Sequence, residues 1–421
     1  MTFDIAIDNL AQRTPLSWAK VPFRRLASLV ETTNAMKTAP LLSLASTGVL
    51  YQREDFDGLG RQAPSDTTIE RCWLTQPGDL VVNPMWLVGG GIGVSQVSGA
   101  VSPDYRVYRL DSQLYPRYIH YLLRSQPYRD QYKLYTRADT TFDRRVSKID
   151  FHAMPILVPP LDEQRRIADF LDHKIERIDG LCTLRRLAHD AVMSRMVAEL
   201  DFKIEQIGNT YGNLPFRRMI RSIEQGVSPQ CDNMSATLQE WGVLKVSAVK
   251  DGLFLEKENK QLPESAEPER RFEIKHGDLL ITRANTPQLV GAAAVAIEPR
   301  RKLMLCDKIF RVMTTADLMP EFLVLVSLST KIRNICAEAS HGTSQSMTNL
   351  KTQEIKGWPI PIAPAPVQRA TVNELSAARQ GTSALMNSIE RQLDLLSERR
   401  QALITAAVTG AIDVTTAHGL E

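Results

Sequence analysis

The chain has few cysteines for its length, no long apolar run and little net charge. Its five cysteines, Cys72, Cys182, Cys231, Cys306 and Cys336, are scattered over 421 residues without a CxxC pair. That spacing excludes a disulfide framework and a cysteine zinc site, and implies reduced, mostly core thiols. No stretch approaches the roughly 20 apolar residues that a membrane span requires. The first ten residues carry Asp4 and Asp8 in place of a basic segment and an apolar core, so no signal peptide is expected. Together these features place the protein in the cytoplasm. No GxxxxGK phosphate loop, serine-nucleophile signature or short-spaced histidine pair occurs, which speaks against ATP hydrolysis, acyl transfer and metal chemistry. Neither a cofactor nor a metal is expected.

What is present is an ordinary globular balance, 43% hydrophobic and 24% charged residues, in a chain too long for one core. The formal net charge of +3 permits nucleic-acid binding through a local basic patch without demanding it.

The chain repeats itself at a period of about 200 residues. Val21-Pro22-Phe23-Arg24-Arg25 returns as Leu214-Pro215-Phe216-Arg217-Arg218, and Gly78-Asp79-Leu80 as Gly277-Asp278-Leu279. Tyr118 to Ser125 matches Phe322 to Ser329, and Met154-Pro155-Ile156 matches Trp358-Pro359-Ile360. The order is kept, so a duplicated module is the simplest explanation. Within each copy, short apolar runs such as Asp79 to Val82 and Asp278 to Ile281 are broken by Gly, Pro, Asn and Ser, as in short strands of a mixed α/β module.

A different pattern closes each copy. After Pro155, Pro159 and Pro160, apolar residues including Ile167, Leu171, Ile175, Ile178, Leu181 and Leu184 recur at helical spacing from Leu161 to about Leu200. Asp162 is the expected N-cap, with Glu163 beside it at the positive end of the helix dipole. In the second copy, from about Val367 to Val408, Leu375, Ala378, Thr382, Leu385, Ile389, Gln392, Leu396, Arg399 and Leu403 alternate steps of three and four, which is a heptad seam. Helices of some 40 residues, about 60 Å long, exceed what one module covers, so pairing with each other is expected.

Pro159-Pro160-Leu161-Asp162-Glu163-Gln164-Arg165-Arg166-Ile167-Ala168-Asp169-Phe170-Leu171-Asp172 strongly resembles the conserved-region signature of type I restriction-modification specificity subunits. Arg399 to Val414 resembles the C-terminal signature of the same family. The resemblance implies an α+β protein with two mixed α/β target-recognition domains separated by two long helices that form an antiparallel coiled coil. Expected boundaries are 1–158 for the first recognition domain, 159–200 for the first helix, 201–362 for the second domain, and 363–421 for the second helix and tail. It further implies a non-catalytic subunit that reads a bipartite double-stranded DNA target. The implied partners are two methyltransferase subunits together with restriction and translocase subunits. The docking and coiled-coil residues it points to are Glu163, Gln164, Arg165, Leu171, Ile178, Gln368, Leu385, Ile389, Leu396 and Leu403. One departure is visible: Pro364-Ala365-Pro366-Val367-Gln368-Arg369 stands where the first copy has Pro160-Leu161-Asp162-Glu163-Gln164-Arg165 and keeps only the Gln and Arg of the Glu-Gln core, so a weaker helix cap and subunit contact are expected there.

Two further features bear on function. Asn83-Pro84-Met85-Trp86 approaches the motif with which adenine-N6 methyltransferases hold the target amino group, and Gly89-Gly90-Gly91-Ile92-Gly93 follows it. Such an enzyme is the alternative reading. Against it, Met85 replaces the second proline, the glycines follow the motif, and Thr282-Arg283-Ala284-Asn285 lacks the pattern. For DNA contact, basic and amide side chains in loops are the candidates, because Arg reads guanine, Asn or Gln reads adenine, and cations hold phosphates. These are Arg137, Arg144, Arg145 and Lys148 in the first copy, and Arg283, Asn285, Thr343, Ser344, Gln345 and Ser346 in the second. The Arg24-Arg25 and Arg217-Arg218 pairs recur in both copies and suit a framework or phosphate role.

Overall fold

The computed structural model describes residues 14–53, 65–136, 145–231, 234–339, 341–344 and 347–414. It divides into two compact units, one of Met1–Arg185 with Arg391–Glu421 and the other of Arg186–Glu390.

In the first unit a four-stranded antiparallel sheet has the order Ala27–Leu29, Arg106–Leu110, Leu80–Val82, Ile92–Val94. Its central strand is buried on both faces, which is why the sequence there reads as a continuous apolar run. Leu80 and Val82 join Tyr108 in the main core, while Val81 and Val107 face a smaller cluster with Leu42 and Val101. The period-2 alternation of a strand thus serves two cores. Two helices, Pro116–Arg124 and Gln126–Tyr135, supply the buried Tyr118, Leu122, Tyr128 and Tyr132. The module closes where Ala19–Pro22 pairs antiparallel with Pro155–Val158.

The second unit repeats the plan. Its sheet order is Ile220–Gln225, Ile309–Thr314, Leu279–Thr282, Ala293–Val295, again antiparallel throughout. Leu279 and Ile281 face one core and Leu280 the other. Helices Pro320–Leu328 and Thr330–Ala339 follow, and Asn213–Pro215 pairs with Pro359–Pro361.

The recurring motifs acquire structural reasons. Phe23 and Phe216 each open a 3-10 turn and are fully buried, with their N–H groups donating to Met154 O (2.9 Å) and Trp358 O (2.8 Å). The arginine pairs that follow are exposed. In the two Gly-Asp-Leu motifs, Gly78 and Gly277 take φ of 92° and 85°, a turn that favours glycine. Asp79 then accepts bonds from Gln76 N (3.0 Å) and Arg109, and Asp278 from Lys275 N (2.8 Å) and Arg311. Leu80 lies opposite Tyr108, and Leu279 opposite Val312, so the two guanidinium groups come from positions two residues apart along the neighbouring strand. The pairing is kept although its donor has moved.

Both long helices form. The first is Leu161–Tyr211, 51 residues, and the second Ala365–Val408, 44 residues. The first runs beyond the expected end near Leu200 because Leu200, Ile204 and Ile207 continue the apolar face into the core of the second unit. It stops at Gly212, with φ 79°, and the second helix is followed by Gly410 with φ 71°, both left-handed C-terminal glycines. Pro160 O accepts from the N–H groups of Glu163 and Gln164, so Asp162 lies inside the first turn and is not the cap. The early part of the first helix and the late part of the second share the first unit's core, through Ile167, Leu171 and Ile175 with Ile404, Ala407 and Val408. In the second unit the late part of the first helix and the early part of the second share a core, through Leu200, Ile204 and Ile207 with Leu375.

Candidate nucleic-acid interface

In each unit the loop after the buried central strand meets the segment that precedes the closing strand. In the first unit Val146 N–H donates to Pro84 O (3.0 Å), and in the second Leu350 N–H donates to Arg283 O (2.8 Å). Val146 and Leu350 are both buried, so each bond pins a divergent surface segment to a common framework.

In the first unit Arg145 and Lys148 are exposed on either side of this anchor. Among the described residues Arg145 makes a long ion pair with Asp104, at 3.8 Å. Lys148 opens the Lys148–Ala153 helix, which Ser147 caps by accepting from Asp150 N (3.0 Å). Arg106 Nη2 donates to Val146 O (3.1 Å) and holds the segment at the end of the sheet. Burial lowers the Arg106 pKa from its ordinary value, with Arg145 adding repulsion. Arg137 and Arg144 lie outside the described residues.

In the second unit the strands Ala284–Asn285, Met347–Asn349 and His341–Ser344 form one three-stranded sheet in the order first, second, third. Asn285 is opposite Thr348, whose Oγ1 donates to Asn285 O (3.1 Å). Asn285, Thr343 and Ser344 are therefore brought to a single small sheet, with Arg283 directly before its first strand. Gln345 and Ser346 lie outside the described residues.

The methyltransferase-like motif is a turn. Asn83 Oδ1 accepts from Met85 N (3.2 Å), Asn83 N donates to Gly91 O (2.7 Å), and Gly91 N donates to Trp86 O (2.8 Å). The chain's own backbone thus takes one of the two lone pairs of the Asn83 amide oxygen. Arg124 fixes the glycine run from behind, donating to Gly90 O (2.7 Å), Ile92 O (2.8 Å) and Ser46 O (2.9 Å). Burial brings the Arg124 pKa down to about 10, still well above neutrality. No group of metal-ligating side chains occurs among the described residues.

The helix residues divide differently from the expectation. Gln164 and Gln368 are buried, at 0% and 1% exposure, and present nothing to a partner. Gln164 Oε1 accepts from Tyr115 N (2.8 Å) while its Nε2 donates to Gln113 O and Pro159 O, both 2.9 Å. Gln368 repeats this with Met319 N (2.8 Å), Asp317 O and Ala363 O, both 2.7 Å. Each glutamine ties the start of a long helix to the loop before a helix pair. The second copy's anchor is as complete as the first, so the weaker cap expected there is corrected. What it lacks is the bond that Glu163 accepts from Trp18 Nε1 (3.1 Å), since Val367 stands in that place. Arg165 is exposed and paired with Asp162 at 3.4 Å.

Of the seam residues, Leu171, Ile178 and Ile389 are buried, and Leu396 and Leu403 partly so. Leu385 is 50% exposed and is no core position. In the first unit Phe170, Ile178 and Leu403 line a groove together with Lys174, Arg177 and Arg399. Arg400 pairs there with Asp179 at 3.3 Å.

Comparison with known proteins agrees with the resemblance. No protein-family model matches the chain. The chain is 30% identical over 183 residues to the type I restriction enzyme EcoEI specificity subunit of Escherichia coli, covering 42% of this chain and 31% of that protein. The match thus spans about a third of that relative's length. It is 21% identical over 319 residues to the EcoKI specificity subunit of Escherichia coli strain K12, covering 73% and 68%. Among solved structures, a chain from a study of complex assembly and conformational transition in the type I R-M system has a TM-score of 0.68 at 18% identity. It covers 95% of this chain and 99% of that one, a likeness of fold. In sequence this chain resembles specificity subunits of type I restriction enzymes, and in fold a chain from the type I R-M system. No helix among the described residues is long and apolar enough to cross a membrane.

Proposed function

We propose that the chain is the DNA-specificity subunit of a type I restriction-modification complex, a cytoplasmic, non-catalytic protein whose two units each read one half of a bipartite duplex target. The observation that carries this is the duplicated framework with divergent edges. The same backbone bond anchors Val146 to Pro84 and Leu350 to Arg283, yet the residues around the two anchors differ. Shared assembly with separate specificity is what a two-part target requires. Arg145 and Lys148 supply phosphate contacts in one unit; Arg283 and Asn285, with Thr343 and Ser344 nearby, supply base and backbone contacts in the other. Arg137, Arg144, Gln345 and Ser346 belong to the same candidate set.

The long helices are the docking elements for two methyltransferase subunits, with restriction and translocase subunits joining that assembly. Support comes from Lys174, Arg177 and Arg399 around an apolar groove on helices whose glutamine anchors are already satisfied. That groove suits a partner with acidic and apolar groups. Helix length sets the gap between half-sites, and two linked readers raise each other's effective concentration on DNA.

The test is reconstitution. The purified chain should not methylate DNA, and mixed with its methyltransferase subunit it should direct methylation to a two-part site. Methylation of that site by the methyltransferase subunit alone would refute the proposal.

A further inference from the structure

The bonds Val146 N to Pro84 O and Leu350 N to Arg283 O fix a correspondence between the units. Pro84 stands where Arg283 does, hence Met85 where Ala284 does and Trp86 where Asn285 does. We infer that Met85 and Trp86 form the base-contacting tip of the first unit and set part of its half-site by apolar contact. This rests on reading the chain as a DNA-specificity subunit.

Both side chains are large, apolar and about half exposed, Met85 at 51% and Trp86 at 52%. Exposed aromatics on loops are common; this one is on a built loop. Asn83 closes the turn through Met85 N, Gly91 N returns to Trp86 O, and Arg124 holds Gly90 and Ile92. The indole lies so close against Gly89 that an added Cβ there would collide with Trp86 Nε1. One side of the ring is thus seated on glycine backbone and the rest is presented outward. The exposed cations Arg145 and Lys148 flank the same anchor, so a duplex held by them passes this tip.

The chemistry differs between the copies in a way that separates their specificities. Asn285 Oδ1 accepts from Thr286 N (2.9 Å) but keeps a second lone pair and its NH2 for an adenine edge, whereas an indole and a thioether offer no matching donor and acceptor pair to a base edge. They favour the thymine methyl group and penalise a polar edge in its place. Apolar side chains of this kind also enter base steps as wedges. The sequence alone directs attention elsewhere, because Asn83 to Trp86 invites comparison with a methyltransferase motif.

The experiment uses the assembled complex of this chain with its methyltransferase subunits. Fluorescence anisotropy would follow binding to a duplex carrying the motif that the unaltered complex methylates, and to two duplexes in which one half or the other is scrambled. Trp86→Ala should weaken binding to the intact motif by roughly 5- to 150-fold, the range for one lost base contact. It should shrink discrimination at one half by a similar factor and leave the other half's discrimination unchanged. Trp86→Leu, which keeps an apolar tip, should recover part of the loss, and circular dichroism should find both variants folded. Unchanged binding by Trp86→Ala overturns the inference. So does loss of subunit assembly with DNA binding otherwise intact, which would make the tip a protein contact, and so does an unfolded Trp86→Leu. If the unaltered complex itself fails to distinguish any of the three duplexes, the functional reading fails first and this inference with it.

Discussion

Replacing Gln164 with leucine isolates the device that attaches each long helix to its module. The side chain is buried and makes three hydrogen bonds of 2.8, 2.9 and 2.9 Å to Tyr115 N, Gln113 O and Pro159 O. Leucine fills a similar volume but leaves one N–H and two carbonyls without their partner. A buried polar group left unsatisfied costs about 1–3 kcal/mol, and three give about 3 kcal/mol at the low end because Gln113 is exposed and Tyr115 half-buried, where water replaces the lost partner. For a unit of roughly 200 residues each kcal/mol lowers the melting temperature by about 2–4 °C, which predicts a fall of about 6–12 °C. Differential scanning calorimetry of the full chain measures this directly. Gln368→Leu should cost the second unit a similar amount, because its three bonds are the same in kind and length. Glu163→Ala should cost less, since it removes a single bond from Trp18. A Gln164→Leu protein that melts within about 1 °C of the unaltered chain would refute the reasoning.

Four other outcomes follow. Burial, with Arg124 and Arg400 nearby, brings the His120 pKa down from 6.5 to about 3. Between those values the unfolded chain binds more protons, so stability rises with pH across that window, and lowering the pH from 7 to 5 should cost about 2 kcal/mol. Urea titrations at both pH values would detect it, and His120→Gln should flatten the difference. Gly93→Ala drives a Cβ into the backbone of Gly48 and should destabilise by about 3 kcal/mol or more, read from the urea midpoint. Gly180→Ala, in a helix and with nothing within 4 Å of the new Cβ, should instead stabilise by about 0.5–1 kcal/mol. On the proposed two-site reading, adding four residues, about one helical turn or 6 Å, to both long helices should lengthen the gap between methylated half-sites by about one to two base pairs.

The duplication was legible because its recurring residues are those the framework cannot spare. Phe23 and Phe216 fill cores, Gly78 and Gly277 take positive φ, and Asp79 and Asp278 hold an arginine. The long helices were legible from periodicity, but the end of the first was not, because the stripe does not stop at Leu200; it changes the core it serves. Periodicity also could not tell a buried seam from a half-exposed one, as at Leu385. The glutamines are recognisable as a motif, yet their role as buried anchors is not, since burial depends on the loop that folds over them. The candidate site was legible in part: Arg145, Lys148, Arg283 and Asn285 come to equivalent anchors, and the Gly-Asp-Leu register already sets Asn83-Pro84-Met85-Trp86 against Thr282-Arg283-Ala284-Asn285. What local sequence does not show is that Trp86 stands half-exposed beside an anchor, which depends on a long-range backbone bond and on the fold of its turn.

The central claim is that this chain supplies the sequence specificity of a methylating complex through two separate readers. Its most direct test is single-molecule sequencing of DNA from a methylation-free host that carries the methyltransferase subunits with or without this chain. The account predicts a methylated motif of two defined halves around an undefined gap, present only when the chain is there. The same motif in its absence, or one contiguous motif in its presence, would contradict it.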